Sequence, residues 1–508
     1  MRKNGIRLQY SGFIIFAAQI LSVITGLAFT LLLTRNMTKQ EYGIWANIFD
    51  LISYFLLLSG IFPFWAIRFV ARGKQGAAKT GLLANLAISL VSAAVYISLA
   101  PLLTGAFHIS GPYVFMYLVA FAQIINIHLI LMLESVLRAT KPQAVGYGLL
   151  IEETTKLGLA YVLMIRLQHL FLGALLSIII SATVQMLYYV SITRKELRQK
   201  IQWAYAKEWL KGSAANFYNA VGSQLASTTI IMLFLLGGQE ARGNYQAAIT
   251  FTNIIGYSLF LSYALYPKLL AENNLKDAAN SLKIVLMFAI PITTIIMATS
   301  PSLLIVLNIH YSEAQPILLM LAIDAFILLI QQFHASVVLG TEKLDEEATI
   351  SLRKLAKSRM FKIFTLPYIQ AAISLPTVFI ILTQFTGDSP VRAAFYVATI
   401  NLVAHSIILF IQYAIMYSTV RIPIPWKNMA KYVLASAVAA AVLSVLPDTT
   451  TLTLTFATVL LGITIYTAIL LAIDREARTL VGAIWDEIKN VITGKANKQV
   501  KNHKKIIA

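Results

Sequence analysis

The sequence predicts an all-α polytopic membrane protein of about fourteen transmembrane helices. Three observations carry this. Apolar runs of membrane-spanning length follow one another along the 508-residue chain. Charged residues make up only 12% of it and mean hydropathy is +0.73, whereas a soluble domain is about 25% charged. Finally, the basic residues sort to one side of the runs. An apolar helix of about 20 residues crosses the roughly 30 Å hydrocarbon core. The spans fall near 10–33, 43–66, 82–106, 113–137, 145–165, 169–191, 214–236, 245–267, 283–300, 315–339, 364–383, 393–418, 431–446 and 452–473.

Each span has its own justification. Arg2, Lys3 and Arg7 precede the first, whose apolar run from Gly12 to Leu33 is too long for a signal-peptide core. No small-residue cleavage site follows, so it reads as a retained span. The second carries Asn47 and Asp50 and ends near Arg68 and Arg72. Span 3 is unbroken, and span 4 holds Gln123, Asn126, His128 and Glu134. Glu152, Glu153 and Lys156 interrupt span 5. Charge sorting nevertheless requires it, because without it the basic segment 192–213 would change sides. Span 7 offers Asn216, Asn219 and Gln224, and span 8 Gln246 and Asn253. Asp324, Gln331, Gln332 and His334 lie in or just beyond the middle of span 10. Span 13 is short.

With the N-terminus placed in the cytoplasm, only Arg35, Lys39, Arg166, Arg242 and Arg392 fall in outer loops, and only Lys156 lies inside a span. The rest of the 41 Lys and Arg are on inner segments, as the positive-inside rule requires. Both termini are then cytoplasmic. The net charge of +19 follows topology, so it does not indicate a nucleic-acid partner. Inner segments 194–210, 343–360 and 475–492 are partly amphipathic and read as interfacial helices. The tail Lys495 to Lys505 is basic and suits water or anionic headgroups. The chain has no cysteine, so disulfides, thiolate metal sites and cysteine nucleophiles are excluded.

Several segments resemble the Wzx-like polysaccharide flippases of the multidrug/oligosaccharidyl-lipid/polysaccharide (MOP) exporter superfamily. They are LLLTRNMTKQEYGIWA (31–46), ALYPKL (264–269), FAIPI (288–292), HYSEAQPILLMLA (310–322) and GTEK (340–343). Their order along fourteen spans carries the resemblance. It implies two six-helix lobes related by a pseudo-two-fold axis along the membrane normal, followed by two helices. The implied division is 1–191 and 214–418 for the lobes, 192–213 for the linker, 419–473 for the extra helices and 474–508 for the tail. The segments EYGIWANIFDLISYFLLL (41–58) and GNYQAAITFTNIIGYSLFL (243–261) both follow a first span and a charged outer turn, as repeats would.

A charge at mid-bilayer costs on the order of 3 kcal/mol, so intramembrane polar residues need a partner, water or a function. Glu152 and Lys156 stand four apart and can pair on one helix face, with Glu153 competing for the amine. Asn47 and Asp50 stand three apart and share a face. The candidate substrate-binding residues are Lys156, Arg35, Arg68, Asn47, Asn219 and Gln246. Glu152, Glu153, Asp50 and Asp324 are candidates for ion coupling. Each has a plain alternative: a buried ion pair, a hydrogen bond between helices, or, for Arg35 and Arg68, snorkelling to headgroups.

The resemblance implies a flippase. It would move a polyprenyl- or dolichyl-(pyro)phosphate oligosaccharide to the outer leaflet of the cell membrane by alternating access. Expected partners are that lipid-linked oligosaccharide, membrane lipids, and polysaccharide polymerase or glycosyltransferase machinery. Coupling would be to H⁺, Na⁺ or the membrane potential, with no cofactor. The competing reading is a cation-coupled multidrug exporter of the same superfamily, served by the acidic residues. The sequence holds no Walker-type loop and no HExxH motif. A membrane glycosyltransferase would need a large polar outer loop, and the longest here, roughly 301–314, has Glu313 as its only carboxylate.

Overall fold

The computed structural model describes residues 5–109, 111–262, 275–341, 358–417, 423–479 and 482. The segment 264–269, most of 343–360 and 475–492, and the tail 495–505 lie outside the described residues. The described residues contain helices and no strand.

Span 1 is α1 (Gly5–Asn36). Span 2 is two helices, α2 (Lys39–Phe55) and α3 (Ile61–Ala71), parted at Leu56–Gly60. Span 3 is α4 (Ala77–Ala106). Span 4 is α5 (Pro112–Val119) and α6 (Phe121–Thr140). Span 5 is α7 (Gln143–Ala160), ending in a π-turn, Tyr161–Arg166. Span 6 is α8 (Leu170–Ile192). The linker forms α9 (Arg194–Leu197) and α10 (Trp203–Gly212). Spans 7 and 8 are α11 (Ala214–Gly237) and α12 (Gln239–Gly256), the latter continued by a 3₁₀ turn, Tyr257–Ser262. Span 9 is α13 (Leu275–Ala298) with α14 (Ser300–Leu307). Then follow α15 (Gln315–Gly340), α16 (Arg359–Gln384), α17 (Pro390–Tyr417), α18 (Trp426–Val445) and α19 (Leu452–Ile473) as spans 10 to 14.

Ten of these are long and apolar enough to cross a membrane by length and composition. Among the described residues spans 2, 5 and 8 are not in this set, and span 1 is represented only by its part Leu21–Asn36, a shorter apolar helix. Span 2 falls short because it is broken, while spans 5 and 8 are diluted by polar residues. Those polar residues line or support the centre of the molecule, as shown below.

The pairing of helices repeats with an offset of six spans. Spans 1–5, 5–6, 3–4, 2–4 and 4–6 pack together, and so do 7–11, 11–12, 9–10, 8–10 and 10–12. Spans 13 and 14 pack on each other and against span 9. The two halves meet chiefly where span 2 crosses span 8. There, residues 200 apart exchange roles. A Cβ on Gly43 would lie 1.9 Å from the carbonyl oxygen of Gln239, and one on Gly243 would lie 2.2 Å from that of Lys39. Gln40 faces Glu240 at 3.5 Å. Tyr42 meets Thr250, and its counterpart Arg242 meets Asp50, the counterpart of Thr250. A pseudo-two-fold axis therefore runs between the two glycines. Small residues let helix backbones approach this closely.

Local sequence explains the element ends. Thr38 and Glu41 form a capping box that starts α2 at the turn after span 1. Ser59 and Gly60 disfavour helix and part α2 from α3. Pro291, Pro367 and Pro376 sit inside helices, where each removes a backbone hydrogen bond. The linker packs onto the bundle: Trp209 of α10 is fully buried against Phe62 and Phe69 of span 2. Trp65 donates its indole N–H to Ser213 at 2.9 Å.

Candidate functional site

The bundle has two ends, named here for convenience. The turn end holds the short turns at 36–38, 238 and 385–389; the linker end holds 193–213. At the turn end the halves are latched. Arg35 donates twice to the carbonyl of Val306, at 2.9 and 3.3 Å. Asn308 donates to the carbonyl of Thr34 at 3.1 Å, and Lys39 pairs with Glu313. Below this latch lies a cavity of about 400 Å³ between the halves, lined by Trp45, Phe49, Asp50, Tyr54, Gln224 and Gln246 among others. A second cavity of about 330 Å³ adjoins it toward the linker end and shares Ser53 and Gln224. It sits against the break in span 2, so the parted helix makes its room.

Asp50 and Arg242 define the upper cavity. Arg242 Nε donates to Asp50 Oδ2 at 2.7 Å and Nη2 to Oδ1 at 3.0 Å, a bidentate fork. Sequence reasoning set Arg242 in an outer loop. The structure corrects this: α12 begins at Gln239, and Arg242 is only 3% exposed. Its Nη1 has no hydrogen-bond partner. The cost of a charge inside span 2 called for a partner to Asp50, but the register that brings Arg242 to it comes from the structure.

Asn47 and Asp50 do not act together. Three residues of helix leave side chains about 60° apart, and the two diverge. Asn47 is fully buried and accepts from the Tyr117 hydroxyl at 2.7 Å. Gln246 lines the upper cavity, whereas Asn219 lines a different one within the second half. Arg68 donates to the carbonyl of Phe64 at 2.8 Å, and its guanidinium lies 3.9 Å from that ring.

In span 5, Lys156 pairs with Glu153 rather than with Glu152. The Lys156 Nζ–Glu153 Oε1 distance is 2.8 Å. Span 1 decides the choice, because Ser22 donates to Glu153 Oε1 at 2.8 Å and Thr25 to Oε2 at 2.5 Å. Glu153 thus ties span 1 to span 5. Glu152 makes no ion pair among the described residues and is half-buried.

The second half contains a cavity of about 500 Å³ lined by Tyr245, Asn253, Asp324, Gln332, Gln370 and His405, with others. It shares Ser227 and Ile230 with the upper cavity between the halves. Asp324 Oδ1 lies 2.6 Å from His405 Nδ1, and both residues are buried. His405 and Arg242 are the two residues that sequence reasoning missed. Nothing in the sequence near His405 marks it, since its partner lies 81 positions away. Among the described residues no cluster of three His, Cys, Asp or Glu could hold a metal ion.

No family model matches the chain, and no curated protein does. Solved structures do. The lipid II flippase MurJ in an inward closed conformation is 16% identical, with a TM-score of 0.63 over 92% of this chain and all 100% of that one. An inward-facing multidrug-resistance MATE transporter of the MOP superfamily is 12% identical, with a TM-score of 0.61 over 79% of this chain and 96% of that one. A MOP-superfamily transporter from Pyrococcus furiosus is also 12% identical, with a TM-score of 0.55 over 81% and 95%. The chain has the MOP-transporter fold. Both the flippase and the multidrug exporters share this architecture, so the fold alone does not choose between them.

Proposed function

We propose that this protein is an alternating-access flippase for lipid-linked oligosaccharides in the cell membrane, with both termini in the cytoplasm. One observation carries the reading. The carboxylates that would attract a cationic drug are already engaged: Asp50 by Arg242, Glu153 by Lys156, Asp324 by His405. What the central cavity offers instead is the Arg242 guanidinium in its lining, flanked by amides, hydroxyls and aromatic rings. Guanidinium groups match phosphate oxygens. Amides and hydroxyls suit sugar hydroxyls, and Trp45, Phe49 and Tyr54 offer apolar faces to the rings.

The substrate class is then a polyprenyl or dolichyl (pyro)phosphate carrying a sugar head. The head crosses between the halves while the lipid tail stays in the bilayer. The latched turn end supports entry of the head from the linker end, which this reading assigns to the side where glycosyltransferase or polymerase machinery assembles the lipid. The test is flipping of a fluorescent polyprenyl-diphosphate oligosaccharide in proteoliposomes. Transport by the wild type that drops at least tenfold in Arg242→Gln supports the reading. Export of small organic cations, with no movement of any lipid-linked sugar, replaces it with the multidrug reading, for which half-buried Glu152 would be the acidic contact.

A further inference from the structure

A buried histidine-carboxylate pair occupies the second half, away from the central cavity. An ionised carboxylate only accepts hydrogen bonds, so His405 Nδ1 carries hydrogen and donates to Asp324 at 2.6 Å. The other ring nitrogen, Nε2, is 2.7 Å from the Gln370 amide nitrogen. In this state Nε2 accepts from Gln370. A proton arriving at Nε2 would turn it into a donor, and a half-rotation of the Gln370 amide would present an oxygen to receive it. Both protonation states therefore have a complete set of hydrogen bonds. The backbone is fixed around them: Gln331 of span 10 donates to the carbonyl of His405 and Gln412 of span 12 to that of Gln331.

The cavity beside the pair continues toward the linker end. It shares Ser223, Gln332, Pro367 and Gln370 with a further cavity of about 310 Å³ that reaches Asn219, Leu339 and Ile363 near the linker end. The corresponding spans of the first half, 4 and 6, are bridged instead by Asn126 with Thr183 and by the Tyr189 hydroxyl donating to Glu134. Among the described residues the histidine–carboxylate pair stands in the second half only.

Resting on the transporter reading above, we infer that His405, held by Asp324 and Gln370, is the loading site for a coupling proton. The proton binds at Nε2, and the pair passes from a net charge of −1 to neutral. Among the described residues, the titratable or charged groups facing the imidazole are Asp324 of span 10 and Tyr245 of span 8. Spans 7 and 11 contribute neutral groups, Thr229 and Gln370. Beyond Tyr245, on the same helix, the Arg242 guanidinium lies 6.0 Å from its ring. Span 8 thus carries a group at the proton site and the cation of the central cavity on one rigid element.

The experiment uses the full chain, ¹⁵N-labelled at histidine, in lipid nanodiscs, with the His405 signal assigned by its loss in His405→Gln. The expected result is an Nδ1–H imidazole whose Nε2 signal moves to that of an N–H when an acid load is applied. Asp324→Asn should remove that change, and Gln370→Leu, which leaves the carboxylate in place, should weaken it. In proteoliposomes an inward proton gradient should accelerate flipping of the fluorescent polyprenyl-diphosphate oligosaccharide, and His405→Gln should lose that acceleration. A His405 that stays neutral under the acid load overturns the inference. So does transport driven by a sodium gradient with His405→Gln indifferent to it. If His405 titrates and responds to Asp324→Asn while no lipid-linked sugar moves, the proton site stands and the flippase reading falls.

Discussion

At the scale of single residues, ion pairing decides what each charge can do. Asp50 and Arg242 are the charged version of the symmetry-related contact between Tyr42 and Thr250. Removing one member of a buried pair strands the other, at about 3–5 kcal/mol. Asp50→Asn alone should therefore lower the melting temperature in detergent more than the double variant Asp50→Asn/Arg242→Gln does. Equal losses in single and double variants would show that the pair is solvated. The same logic applies in span 5. Glu153→Gln removes the charge that pairs with Lys156 and one of the two oxygens that serve Ser22, Thr25 and Lys156, whereas Glu152→Gln removes no ion pair. Thermal stability should fall in the first and hold in the second. Sequence spacing brought Glu152, Glu153 and Lys156 into view but could not choose between the two glutamates. The choice is made by two hydroxyls on span 1, well over a hundred residues away.

At the scale of elements, the legible part was the set of apolar runs. That signal is additive along the chain. The breaks were less visible. Span 2 reads as one run, yet Ser59 and Gly60 part it and a cavity fills the space. Span 8 reads as starting at 245 because Gln239–Asn244 is polar, but that polar turn is helical and packs on its repeat partner. The crossing of α2 and α12 is the contact that must open if the turn end is to open. Overpacking a tight contact costs about 1–3 kcal/mol. Because the chain has no cysteine, Gln40→Cys with Glu240→Cys gives a single unambiguous disulfide. Oxidation should lock the turn end and abolish flipping, and reductant should restore it. Adding Gly43→Ala should slow that crosslinking about tenfold, since 1.4 kcal/mol is a factor of ten. Unchanged crosslinking would mean that the helices separate at no cost to this contact.

At the scale of the whole molecule, two halves share a pattern of packing but differ in chemistry. The six-span repeat was foreshadowed by segments 41–58 and 243–261, although only the structure sets their register, with Gly43 opposite Gly243. The chemical difference was hidden, because Asp324 and His405 meet only through tertiary packing. That difference has an electrical consequence. An anionic head moving outward carries negative charge out, and a proton returning inward carries positive charge in. Both movements run down an inside-negative potential, and each is worth about 2.3 kcal/mol per charge per 100 mV. With two charges on a diphosphate head and one proton per cycle, the driving force is roughly 7 kcal/mol per 100 mV. Flipping of the fluorescent probe in proteoliposomes should therefore rise steeply as an inside-negative potassium diffusion potential is imposed. His405→Gln should keep a shallower rise, because the head still carries its own charge. Equal voltage dependence in wild type and variant would separate the proton from the transport cycle, and a rate indifferent to voltage in both would mean that the head crosses with its charge neutralised.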